Sequence, residues 1–168
     1  FPGIGPRRGK RFVFYLLSAP AGERAKLAEL IASLGKEVHQ CPDCLRFYNG
    51  SSASLCSYCA DARRDDSLLM LVEKDQDLTA VERAGTYKGR YFVLGGVLTL
   101  TGKGAIREKE LLKTVEKRLK SGLKEIVLAL SATSEGEHTS DRVRELLAPY
   151  RDHLKISLLG RGLATGSE

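Results

Sequence analysis

The chain has 168 residues, 42% hydrophobic and 29% charged, enough for one substantial core and typical of a folded rather than a disordered chain. Its longest apolar runs, Leu68–Val72 and Ile126–Leu130, are strand-length, far short of the roughly 20 residues of a membrane span. The net charge is +6, and residues 1–36 hold seven basic against two acidic side chains, which favours a polyanionic partner. Residues 1–11 are basic and Gly-rich, without the apolar stretch of a secretion signal, so a cytoplasmic protein is expected. The Phe1-Pro2-Gly3 start without Met and the abrupt Thr165–Glu168 finish predict a chain shortened at both ends.

Pro2-Gly3-Ile4-Gly5-Pro6 precedes a helical pattern that runs to about Leu17. Two glycines around one apolar residue permit a tight turn with outward backbone N–H groups, and Pro6 suits the first turn of a helix. Such a turn at a helix N-terminus cradles phosphate: free donors, a partial positive charge and no obstructing side chain. Arg7 and Arg11, at i and i+4, share one face, and Arg8 and Lys10 belong to the same basic run. Gly3, Gly5, Arg7, Arg8, Lys10 and Arg11 are therefore candidate DNA-phosphate contacts that read no sequence; the alternative is a plain Gly-Pro turn. Phe12, Tyr15 and Leu16 are expected to face a helix of residues 23–35 through Leu27, Leu30, Ile31 and Leu34.

Cys41, Cys44, Cys56 and Cys59 follow the pattern C-x2-C, eleven residues, C-x2-C. A two-residue gap lets both thiolates of a knuckle converge on one tetrahedral ion, and two knuckles close its shell. One structural zinc ion is predicted. Disulfides suit a cytosolic chain poorly, a redox pair does not explain the second copy, and iron–sulfur ligation is an alternative. The stretch between the knuckles carries an Asn49-Gly50 hairpin signal and too few apolar residues to fold without metal. His39 lies nearby but is expected at the surface.

From Ser67 strands and helices alternate. Strands are predicted at Leu68–Glu73, Tyr91–Leu94, Glu125–Ala132 and Leu154–Leu158. Helices are predicted at Asp77–Ala84, ending at Gly85, at 107–121 with Leu111, Leu112, Val115 and Leu119 on one stripe, and at Thr139–Leu147. This order implies a parallel sheet covered on both faces, whose ligands lie beyond the C-terminal strand ends. Glu73 follows the first strand there, and Glu135-Gly136-Glu137 the third; three converging carboxylates are a weak Mg²⁺ candidate. The arrangement resembles a Toprim domain, with Glu-Gly-Glu in place of the Asp-x-Asp of catalytic members. The longer arms count against phosphoryl-transfer chemistry.

The order of glycine-rich turn, four-cysteine finger and Toprim-like segment resembles the RecR family of bacterial recombination mediators. The resemblance rests on FPGIGPRRGKRFVFYLL, CPDC, CSYCADARRDDSLLMLVE, YKGRYFVLGGVLT and LALSATSEGEHT. It implies an α/β fold: a Toprim-type parallel sheet flanked by helices, preceded by half of a helix-hairpin-helix motif and a small four-cysteine zinc finger. The expected divisions are residues 1–37, 38–66 and 67–168. It further implies a non-enzymatic scaffold in recombinational repair that binds gapped or single-strand/double-strand DNA, RecO and RecF, and helps load RecA over single-strand-binding protein. A homodimer or ring tetramer and a nucleoid location follow from the same resemblance. Within it Arg7 and Arg11 contact DNA, and Glu135 and Glu137, with Glu73 beside them, meet RecO. The rival is a Mg²⁺-dependent Toprim nuclease or a fragment of a larger Toprim enzyme.

Overall fold

The structure, a computed structural model, describes residues 4–50, 54–101 and 104–160. It divides into two compact units, with the boundary between His39 and Gln40.

The first unit is a pair of helices, α1 (Pro6–Ser18) and α2 (Ala21–Glu37). Pro6 opens α1 and Pro20 caps α2, as proline's fixed φ and missing N–H allow. Neither helix has a buried residue. Phe12, Tyr15, Leu16, Leu27 and Leu30 line one groove, but the expected Ile31 and Leu34 are not among its lining residues and stand 59% and 55% exposed, and Phe12 and Tyr15 stay 45% and 63% exposed. A Cβ placed on Gly9 meets nothing within 4 Å, so no close helix contact occupies that position among the described residues.

The second unit is built on four parallel strands: β3 (Asp65–Val72), β4 (Gly89–Val93), β5 (Glu125–Ala129) and β6 (Lys155–Leu158), in the order β4-β3-β5-β6. Ahead of them stand two three-residue strands, β1 (Val38–Gln40) and β2 (Phe47–Asn49), and the short helix α3 (Ser57–Ala60). Helices α4 (Asp75–Ala84), α5 (Glu108–Leu119) and α6 (Ser134–Leu146) form the crossovers. The mixed α/β architecture expected from the alternating pattern is present.

The apolar run of β3 is continuous because both faces of the sheet are covered. Leu69 and Leu71 point into a core with Phe92, Ile126, Leu128, Leu111 and Val115, to which α6 adds Val143. The alternate residues Met70 and Val72 point the other way, packing with Tyr91, Val93, Leu78 of α4 and all four cysteines. The cysteine stretch therefore shares a core with the sheet.

Several boundaries move. The helix predicted from Thr139 starts at Ser134, because Thr133 caps it: its Oγ1 accepts the Gly136 N–H at 3.1 Å. The turn expected at Asn49-Gly50 runs into residues 51–53 and lies outside the described residues. The β1–β2 turn is the first cysteine knuckle itself, where Cys41 N donates to Arg46 O and Leu45 N to Cys41 O, both at 2.9 Å. That tight turn forces Leu45 to φ 60°, an uncommon conformation for a residue with a side chain. Among the described residues no helix is long and apolar enough to cross a membrane.

Candidate functional site

The four cysteines form one group whose sulfur atoms all lie within 4.8 Å of one another, with Cys44 and Cys56 Sγ 3.5 Å apart. Tetrahedral thiolates at about 2.3 Å from a metal stand about 3.8 Å apart, so the donor set fits a closed four-sulfur shell. Cys41, Cys44 and Cys56 are fully buried, and His39 is not part of the group. The crowded sulfurs perturb one another: contact with Cys44 pulls Cys41 toward thiolate, while contact with Cys41 holds the Cys44 proton on. A dication resolves that conflict by taking four thiolates at once.

The sheet grips both knuckles. Cys44 O accepts from Val93 N at 2.9 Å. Arg107 Nη1 donates to Leu45 O and to Val93 O, both at 2.9 Å, joining the residue after Cys44 to the end of β4. Arg90 on β4 donates through Nη1 to Cys59 O at 3.0 Å and Tyr58 O at 3.3 Å, and through Nε to Asp66 Oδ1 at 2.7 Å. Sequence reasoning missed both arginines, since each bond joins positions far apart in the chain.

The basic run occupies the first turns of α1. Gly5 is the N-cap with φ −72°, and a Cβ there would meet nothing within 4 Å, so neither its backbone nor packing among the described residues demands glycine. No side chain caps the helix and no acid stands in its first turn, which leaves early N–H donors open. Arg7, Arg8, Lys10 and Arg11 are all exposed, and none forms an ion pair with another described residue. Gly3 lies outside the described residues.

At the C-terminal strand ends the carboxylates do not gather. Glu73, directly after β3, is buried, and its Oε1 accepts from Ser131 N at 2.6 Å. Glu135 and Glu137 are exposed in the first turn of α6, not in a loop, where the helix N-terminus favours negative charge. The cysteine group is the only set of three or more potential ligands among the described residues, so the expected three-carboxylate convergence is not formed. Ser131 and Thr133 shape this corner; the Thr-Ser start before acidic residues is a helix-start signal that the sequence reading passed over. Thr139 Oγ1 accepts from Leu98 N at 2.9 Å, tying the loop after β4 to α6.

Residues 67–159 match the Toprim domain family. "Recombination protein RecR" of Bifidobacterium adolescentis is 36% identical over 167 residues, covering 99% of this chain and 81% of its own length. The proteins of the same name from Bifidobacterium longum subsp. infantis and Cereibacter sphaeroides are 38% and 35% identical, over 99% of the chain and 81% of each relative. With a Toprim sheet, a four-cysteine metal group and near-complete alignment to these relatives, the chain belongs to the RecR family, whose role is in recombination.

Proposed function

We propose that this chain is a DNA-binding recombination mediator with no reaction of its own. In this reading α1 holds the phosphates of gapped or single-strand/double-strand DNA, and the first turn of α6 meets RecO through Glu135 and Glu137. Working with RecO and RecF, the protein helps load RecA onto strands covered by single-strand-binding protein, as a homodimer or ring. Zinc is the structural ion of Cys41, Cys44, Cys56 and Cys59.

The observation that carries the reading is the basic start of α1, which forms no ion pair among the described residues: Arg7, Arg8, Lys10 and Arg11, with no acid in the first turn. Such contacts bind by counterion release and make affinity steeply salt-dependent. The bond from Ser131 N to Glu73 counts against the nuclease reading, because it engages the carboxylate that Mg²⁺ chemistry needs.

Titration of gapped DNA at several salt concentrations tests the proposal. Arg7→Ala with Arg11→Ala is expected to weaken binding and lower the slope of log K against log salt by about 1.8, two phosphates' worth. An unchanged slope removes α1 as the DNA face. Mg²⁺-dependent cleavage of the same DNA, abolished by Glu73→Gln, overturns the scaffold reading in favour of the nuclease.

A further inference from the structure

The finger has little of its own to keep its sulfurs in place. Its sheet is two strands of three residues, and its helix is four residues long. Each knuckle nevertheless presents carbonyls toward the sheet, and each is held to β4 by one arginine: Arg90 from β4 itself, and Arg107 from the N-cap of α5. Arg107 bridges Leu45 O of the first knuckle and Val93 O of β4 from a single nitrogen. Arg90, whose side chain is only 9% exposed, bridges Tyr58 O and Cys59 O of the second knuckle while Asp66 fixes its other edge.

The surroundings are shaped for these side chains. Gly95 has φ 87°, and a Cβ on it would stand 3.0 Å from Arg107 Nε. Leu45, the residue Arg107 holds, is the one non-glycine at positive φ among the described residues. Arg107 forms no ion pair with a described carboxylate; its bonds run to carbonyls. Four thiolates around a dication leave two formal negative charges, and two arginines hold the carbonyls of the two knuckles. The planar guanidinium fixes the directions of its N–H donors, from two nitrogens in Arg90 and from one in Arg107, whereas an ammonium turns freely on a flexible stem.

We infer that Arg90 and Arg107 are positioning residues of the metal centre: each clamps one cysteine knuckle to β4, so the sheet sets how long the ion stays. Partners outside the ligand shell commonly change metal affinity by about 10–100-fold. The inference rests on the four cysteines holding zinc, and its experiment separates the two ideas.

The zinc-loaded full chain is mixed with excess colorimetric chelator, and release is followed for wild type, Arg90→Lys, Arg107→Lys and Arg63→Ala. Arg63 is the control, since its side chain is 89% exposed and pairs only with nearby Asp61. Both lysine variants are expected to release zinc about ten-fold or more faster, with Arg63→Ala at the wild-type rate. Cobalt substituted for zinc is expected to show altered absorption bands in the lysine variants, a readout of ligand geometry that general destabilisation leaves in place until unfolding. Arg107→Gln, whose shorter side chain cannot span to both carbonyls, is expected to release zinc at least as fast as Arg107→Lys, and serves if Arg90→Lys does not fold. Wild-type rates and spectra in the folded lysine variants overturn the clamp while leaving the zinc site standing, and so does equal acceleration in Arg63→Ala. A wild-type chain that retains no zinc through purification overturns the metal reading itself.

Discussion

Residues 4–39 and the unit that begins at Gln40 differ in what holds them together. The helical pair buries no side chain, and its apolar residues stand open, with Phe14 at 66% and Leu17 at 69% exposure. The second unit buries Leu69, Leu71, Phe92, Ile126 and Leu128 essentially completely on one face of its sheet and its metal-ligand group on the other. Burying one such side chain contributes about 1.5–3 kcal/mol, so stability resides in the sheet and the two faces packed on it. The helices leave charge and apolar side chains exposed instead.

Metal removal is the strongest way to break that contrast. Because the cysteines are part of the core against Met70 and Val72, chelation is expected to lower the melting temperature of the second unit by more than about 10 °C. Scanning calorimetry checks this; an unchanged melt shows that the sheet does not depend on its metal face.

Phenylalanine truncation sharpens the comparison at single residues. Phe92→Ala, at 0% exposure, is expected to cost about 3–5 kcal/mol in urea unfolding. Phe14→Ala is expected to cost no more than about 0.5 kcal/mol, as for an exposed position. Equal costs would mean that α1 is covered in solution and that the two units are not different in kind.

The smallest effect belongs to a surface ion pair of the second unit. The Arg142 guanidinium, 2.9 Å from Glu108, holds that carboxyl below the usual glutamate range. A folded-state pKa that is depressed contributes stability above the unfolded value and loses it as pH falls through the folded one. The pair therefore stabilises at neutral pH, and its contribution fades only below about pH 4.3. Both side chains are about a third exposed or more, so Glu108→Gln is expected to cost under about 1 kcal/mol and to flatten the acid limb slightly. A larger loss at pH 7 would mark this pair as part of the core.

What was legible from residues alone followed local pattern. The run Leu68–Val72 reads as a buried parallel strand because both of its faces are apolar, and the cysteine spacing predicts one converging group; both are present. The failures came where a local signal met a stronger neighbour. The β1–β2 hairpin closes at Cys41–Cys44, a turn made by knuckle bonds that no turn pair in the sequence announced. The three acids sit near one edge in the chain order, but Ser131 engages Glu73, and Thr133 draws Glu135 and Glu137 onto a helix. Arg107 gave no signal because its bond to Leu45 spans 62 positions.

Gly136 carries a consequence for which sequences this corner tolerates. A Cβ there would collide with Ser131 O and lie 2.7 Å from Ser131 Oγ, an overlap that no rotamer relieves because the nearest contact is backbone. Ser131 also donates the bond that holds Glu73, so any side chain at 136 pushes on the loop that carries it. In a library randomised over 135–137, every folded survivor is expected to keep glycine in the middle. The spacing of the two acids is thus inherited from a steric contact behind them, and the charge pattern rides on a fixed backbone.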